Sequence, residues 1–261
     1  MERFDVIVLA AQRTGVINEL AEKHSESHKC LVPIVGIPLI ERVLTTLTSH
    51  PNFNKIVIVI EEDGQAALQP LVEKYSTAAL PIEFVTSNEN IAGSVLAASK
   101  AVQAPFLITT ADNVLLTHES LDKMMMGLED GADALLALAA RPDVLAVHPE
   151  AQKNFYEMRC GAYANCNLYA IRGEKALAAV EVFRSGGQFM KNPTRLIRVF
   201  GIWNIIQIWR RRLTLQQAGK RLSKRFGVDI RAVTLSDGSQ AVDVDNERTY
   251  KIVEIILSNK K

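Results

Sequence analysis

The chain has 261 residues, 48% of them hydrophobic and 23% charged, and a formal net charge of +1. That length supports one large α/β domain or two small ones around a self-stabilising core, and the near-neutral charge excludes a molecule built to attract nucleic acid. The three cysteines, Cys30, Cys160 and Cys166, lack metal-ligand spacing and their odd number suits a reducing compartment; the first apolar run is too short for a signal segment or a membrane span, so the expected address is the cytoplasm.

In chain order, Phe4–Ala10 reads as a strand and Pro38–Ser49 as a helix with Leu39, Ile40, Val43, Leu44 and Leu47 on one face. Lys55–Ile60 is a second strand, with a helix near Gly64–Tyr75; Ile82–Val85 is a short third strand, with a helix over Ile91–Val102. A fourth strand, Phe106–Thr110, runs into Ala111-Asp112-Asn113, then a helix over Thr117–Leu128 and a continuous apolar run, Ala132–Ala139. Beyond it, Ala162–Ile171 reads as a strand and Glu174–Arg184 as a helix. Two helices are expected over Asn192–Phe226, broken near Arg211–Thr214. Val228–Leu235 and Gln240–Val244 read as strands and Glu247–Leu257 as a closing helix. Val/Ile/Leu runs without alternation are what a parallel sheet covered on both faces requires. The strand–helix alternation predicts a Rossmann-like three-layer α/β/α sandwich with a mostly parallel, mixed sheet. With no linker rich in Pro, Gly or Ser, the chain reads as a single domain, 1–140 forming one half and 141–261 the other, with a basic helical segment at 191–226.

Ligands of open α/β sheets sit at the carboxyl ends of the strands. Two carboxylate groups fall at such ends: Asp112, directly after Phe106–Thr110, and the pair Asp243 and Asp245 in "AVDVDNERTY". A hard cation such as Mg²⁺ takes one or two carboxylates plus substrate phosphates, although an aspartate after a strand also serves as a turn or helix cap. Either Asp243 or Asp245 can be the ligand, the other capping the last helix. Lys29 lies at the far end of a polar loop, where a lysine can reach phosphate as a mobile point charge or remain a solvated surface residue.

The order of these elements resembles the MobA-like and sugar-phosphate nucleotidyltransferases. Leu9-Ala10-Ala11, "HKCLVPIVGIPLIERVL" from Lys29 to Leu44, "IAGSVLAASKAV", "TTADNVLL" and "VDVDNERTY" carry the resemblance, which spans nearly the whole chain. It implies an Mg²⁺-dependent transfer of a nucleoside monophosphate from an NTP, CTP or GTP favoured, to a phosphorylated sugar, alcohol or cofactor precursor. It further implies a GT-A-like fold, Asp112, Asp243 and Asp245 as metal ligands, Lys29 and Arg13 on phosphate beside Asp112, and Leu9, Ala10, Ala11, Gln12, Gly93 and Ser94 around the nucleotide. The family's Gly-x-Gly-x-Arg turn is replaced by Gln12-Arg13-Thr14-Gly15 and a long polar stretch, expected to act as a mobile flap with Lys29 at its far end. A nucleotide-sugar-dependent glycosyltransferase and a non-catalytic nucleotide-binding or membrane-docking relative are the alternatives. Against the first, the Asp-x-Asp lies near the C-terminus rather than mid-chain.

From Lys191 to Arg225 there are ten basic residues and no acidic one. Three readings are open for this segment: a core helix with Arg210–Arg212 at its C-terminal end, an acceptor-phosphate pocket lined by Lys191, Arg195 and Arg198, or an interfacial helix over 196–212 in contact with lipid headgroups. Lys191 and Arg195, with Asn167 on the preceding strand, are the acceptor-binding candidates. The expected partners are the NTP and a small phosphorylated acceptor, without nucleic acid, with a peripheral membrane contact through 196–212 and a homodimer as further expectations.

Overall fold

A computed structural model describes residues 3–12, 18–177, 180, 210 and 212–259. Its main sheet is built around three apolar strands, β1 (Phe4–Leu9), β4 (Phe53–Ile60) and β6 (Phe106–Thr110). Alternate residues of β1 enter different apolar clusters. Val6 and Val8 pack on one face with Ile56, Ile58, Ile60 and Leu107, whereas Ile7 packs on the other with Val57, Val59, Phe106 and Ile108. Both faces of these strands are therefore buried, which explains the unbroken apolar runs. One face is covered by α2 (Leu39–Thr48), α5 (His118–Glu129) and α9 (Glu247–Ser258), and the other by α4 (Ile91–Ala98) and the start of α7 (Glu174–Leu177).

Among the described residues the sheet has eight strands. Its order is β10 (Ile230–Leu235), β7 (Ala134–Ala140), β9 (Gly161–Ile171), β6, β1, β4 and β5 (Ile82–Thr86), with β8 (Tyr156–Met158) paired to the end of β9. The neighbours β1, β4, β5 and β6 are parallel, as are β7 and β10, while β9 runs antiparallel to both β6 and β7. The chain leaves β1 toward β4 and β5, then crosses back to lay β6 on the other side of β1. The switch in strand order thus lies between β1 and β6, the position at which an open α/β sheet leaves a crevice for ligand.

Three further pieces pack on the core. A short helix, α1 (Glu19–Lys23), is capped by Asn18 and buries Leu20 and Ala21, so part of the expected flap is packed on the core. A two-stranded hairpin, β2 (Pro33–Ile34) and β3 (Ile37–Pro38), turns through Val35 and Gly36, both at positive φ, and leads into α2. Tyr250 of α9 donates its hydroxyl to the Pro33 carbonyl at 2.8 Å and holds that hairpin in place. Beside β7 and β9, α6 (Arg141–Val147) opens with Pro142 in its first turn, where a missing N–H costs nothing.

The expected strand over Gln240–Val244 is instead a 3₁₀ turn, Gly238–Ala241, followed by extended chain that pairs with no strand among the described residues. Asp237 caps the turn, and Gln240 is drawn inward to donate its amide to the Leu115 carbonyl at 2.6 Å and accept from Ser120 Oγ at 2.9 Å. With its side chains fixed this way, the segment bonds to the site loop instead: Val244 N donates to the Asp112 carbonyl at 3.2 Å. Helix α3 (Glu62–Tyr75) begins two residues before Gly64, since Glu62 and Asp63 favour a helix N-terminus. Helix α4 closes at Ala98 and α7 is described only through Leu177. Of the basic segment 191–226, residues 191–209 and 211 lie outside the described residues; α8 (Leu215–Phe226), capped by Thr214 and ended by Gly227 in the left-handed conformation, forms its second helix.

Candidate functional site

Four charged side chains meet at the switch point. Lys29 Nζ lies 2.5 Å from Asp112 Oδ2 and 2.7 Å from Asp245 Oδ1. Lys29 stands on a 3₁₀ turn, Lys29–Leu31, whose apolar neighbours Cys30 and Val32 are buried and fix its direction. Asp112 follows β6, and Asp245 precedes α9, whose cap Asn246 and Thr249 hold the backbone around it; Asp245 N donates to Thr249 Oγ1 at 3.0 Å. Asp243 lies two residues back, buried, with Oδ2 accepting from Asn167 Nδ2 at 2.7 Å.

Three carboxylates face one ammonium, and the electrostatics follow. Burial alone would depress the Lys29 ammonium, but Asp112 and Asp245 outweigh it and hold its pKa above the usual range. Burial pushes the Asp112 carboxyl up, and Lys29 more than reverses this, leaving it below its ordinary value. Asp243 is pushed well up, first by burial and then by the charges of Asp112 and Asp245.

The residues present fit a divalent cation. Asp112 Oδ1 and Asp243 Oδ1 are both buried without a hydrogen-bond partner, and such orphaned acceptors are costly unless something positive faces them. No group of three ligating side chains converges among the described residues. The protein can therefore offer one or two carboxylates and leave the remaining positions to phosphate and water, the manner in which Mg²⁺ is ordinarily held.

The turn after β1 is organised by side chains where a glycine turn was missing. Gln12 N donates to Glu61 Oε1 at 2.7 Å, Gln12 Nε2 donates to the Ser27 carbonyl at 3.2 Å, and Lys29 N donates to Gln12 Oε1 at 3.4 Å. Gln12 thus ties the end of β4 to the loop that carries Lys29. Glu61 was absent from the sequence-based candidates, although its place directly after β4 is the signal that could have found it.

Leu9 ends β1 and Ala10 continues it, its N–H bonded to the Val59 carbonyl at 2.9 Å, while Ala11 is exposed. Gly93 and Ser94 occupy the first turn of α4, and their bonds stay within it: Gly93 N donates to Asn90 Oδ1 and Asn88 N to Ser94 Oγ, both at 2.9 Å. Asn167 is in contact with the carboxylate cluster. Arg13, Lys191 and Arg195 lie outside the described residues.

Residues 6–183 match the MobA-like NTP transferase domain. The chain belongs to that family. A 2-C-methyl-D-erythritol 4-phosphate cytidylyltransferase from Bacillus velezensis is 24% identical to this transferase domain over 119 residues, 45% of the chain and 51% of the relative. The chain spans about half the length of the curated relatives it matches. Among solved structures, a hypothetical transferase from Thermus thermophilus superposes with a TM-score of 0.76 at 23% identity, covering 95% of this chain and 99% of the other. A CMP:2-keto-3-deoxy-manno-octonic acid synthetase complexed with CTP gives 0.59 at 13% identity over 99% of this chain and 100% of its own. These likenesses establish the nucleotidyltransferase fold with its GT-A-like mixed sheet. No helix among the described residues is long and apolar enough to cross a membrane.

Proposed function

We propose that this domain transfers a nucleoside monophosphate from an NTP, CTP in preference to GTP, onto a phosphorylated sugar, alcohol or cofactor precursor, with release of pyrophosphate and dependence on Mg²⁺. The observation that carries this reading is the half-buried Lys29 ammonium clasped by Asp112 and Asp245 beside the buried Asp243, at the switch point between β1 and β6. The cytidylyltransferase relative favours CTP.

In the reaction an oxygen of the acceptor phosphate forms a bond to the α-phosphorus, and the bond from that phosphorus to the bridging oxygen breaks as pyrophosphate departs. The acceptor phosphate is already ionised at neutral pH, so no general base is needed. Catalysis is positioning and charge neutralisation. Lys29 supplies a fixed positive charge to the phosphates. Asp112, with Asp243 or Asp245, would hold the cation, which supplies neutralisation of phosphate charge when bound. Three carboxylates against one lysine make the bare site repel a triphosphate, and nucleotide binding should therefore be conditional on a divalent cation.

A thermal-shift panel of CTP, GTP, UTP and ATP, each with and without Mg²⁺, beside UDP- and GDP-sugars, tests this. A ligand at a hundred times its Kd adds about 2.7 kcal/mol, so one NTP should raise the melting temperature only when Mg²⁺ is present. Pyrophosphate release in an acceptor screen then follows with that NTP. A response to nucleotide-sugars with none to any NTP would replace this reading with the glycosyltransferase.

A further inference from the structure

Strand β9 is irregular at one point. Against β7, Leu136 faces Tyr169 while Leu138 faces Asn165, so three residues of β7 oppose five of β9. The two extra residues form a bulge, a device that re-aims a side chain beside a functional site. At its centre, Asn167 has φ +47, one of three non-glycine residues at positive φ among those described. Such a conformation persists only where surrounding bonds hold it, and here they can be named.

Asn167 N donates to Asn165 Oδ1 at 3.3 Å, and Asn165 Nδ2 donates to Asn167 Oδ1 at 2.8 Å. The second bond fixes the amide's orientation, because an oxygen occupied by a donor leaves the NH₂ to point the other way, onto Asp243 Oδ2 at 2.7 Å. Asn165 is itself held by Tyr169, whose hydroxyl oxygen accepts from Nδ2 at 2.6 Å. Within the bulge, between Asn165 and Asn167, the Cys166 carbonyl accepts from Nδ2 of the fully buried Asn113, next to Asp112, at 3.2 Å. Two consecutive residues of the bulge, Cys166 and Asn167, are thus tied to Asp243 and to the neighbour of Asp112. Asp243 Oδ1, the oxygen that Asn167 does not touch, is the buried atom without a partner.

We propose that Asn167, oriented by Asn165, is a positioning residue that clamps one oxygen of Asp243 so that the other is presented to a divalent cation shared with Asp112. The inference rests on the transferase reading and gives Asn167 a role toward the metal rather than the acceptor. It also selects Asp243 over Asp245, since Asp245 is exposed and has neither such a clamp nor a buried oxygen without a partner.

The test is direct Mn²⁺ binding to the full chain, followed by electron paramagnetic resonance, with the metal-free melting temperature measured in parallel. Asn167→Gly accepts the positive φ without strain and removes only the amide, whereas Asn167→Ala removes the amide and adds backbone strain. Both should weaken Mn²⁺ binding tenfold or more, and Asn165→Ala should weaken it by a smaller factor. Asp243→Asn should match or exceed the loss in Asn167→Gly, while Asp245→Asn, which removes a charge from the cluster but not the clamped oxygen, should cost less than Asp243→Asn. Asn167→Gly should melt, without metal, no lower than Asn167→Ala. Wild-type affinity in Asn167→Gly would overturn the proposal and show the residue to be structural. Failure of the wild-type chain to bind Mn²⁺ would overturn it as well. If Mn²⁺ binds and these losses are seen but no NTP is turned over, the clamp stands and the transferase reading falls.

Discussion

Lys29 is the residue on which two requirements meet. In the free protein it neutralises Asp112 and Asp245, and in the proposed reaction it faces phosphate, so nucleotide must compete with the carboxylates for the same ammonium. Removing one partner from a buried ion pair costs about 3–5 kcal/mol because a charge is left uncompensated. The side chains of Lys29 and Asp112 keep 17% exposure and that of Asp245 keeps 63%, so water offsets part of this and Lys29→Ala should cost about 1–3 kcal/mol. Chemical denaturation would measure it. Adding Mg²⁺ should restore part of the loss in the variant, because the cation then takes over the role of the missing ammonium. Equal stability of the two proteins would show that the lysine is not neutralising this cluster. The sequence made Asp112 legible through its place after β6, and Lys29, Asp243 and Asp245 through motif order. It concealed the link between Asn167 and Asp243, because a bulge is a mismatch between two strands and neither strand alone records it.

The elements follow the same division. Strands β1, β4 and β6 were legible because both faces are buried and the composition has to be continuously apolar, and α2 was legible because its apolar face recurs with helical period. The segment Gln240–Val244 misled, since its alternation of apolar and polar residues suits a strand while its register is set by Gln240 reaching into the core. The hairpin β2–β3 and strand β8 are two and three residues long, below the length at which periodicity carries information. Where two elements cross closely, a glycine states the geometry and can be tested. A Cβ on Gly238 would run into the backbone of Asp143 and Val144 at the start of α6. Backbone cannot rotate away, and overpacking of this kind costs about 1–3 kcal/mol or more. Gly127, inside α5, would bring its Cβ 2.7 Å from Leu135 Cδ1, a side-chain tip that can change rotamer, while gaining helix propensity of about 1 kcal/mol. Gly238→Ala should therefore lower the melting temperature by several degrees more than Gly127→Ala. The reverse order would mean that the 3₁₀ turn and α6 are not packed as described.

At the scale of the whole molecule, the three cysteines sample three depths of the structure. Cys160 is exposed, and the upward push of its partial burial, the largest single effect, is outweighed by the sum of hydrogen bonds from the Leu215 backbone, the Tyr163 hydroxyl and its own backbone, so its pKa lies below the ordinary thiol value. Cys30 is buried next to Lys29, and burial followed by the charge of Glu61 pushes its pKa up to about 12. Cys166 is buried in the β9 bulge and raised further, by burial and then by Asp243 and Asp237. Since only the thiolate reacts, a thiol of pKa about 12 is ionised in about one part in ten thousand at pH 8, and it is also shielded from reagent. A disulfide reagent at pH 8 should label Cys160 rapidly and Cys30 and Cys166 only as the fold opens. The two slow rates then become reporters of stability in two places, because labelling of a buried group tracks the population of its open state. A ligand that binds only the closed form lowers that population by the factor 1 + [L]/Kd. With Mg²⁺ and the preferred NTP at a hundred times Kd, labelling of Cys30 should slow about a hundredfold while Cys160 keeps its rate. If Cys166 slows by the same factor, the opening that exposes Cys30 is global. If Cys166 is unaffected, the loop carrying Lys29 opens by itself. An unchanged rate at Cys30 in the presence of a ligand that raises the melting temperature would place that ligand's site away from Lys29 and overturn the assignment of phosphate binding to it.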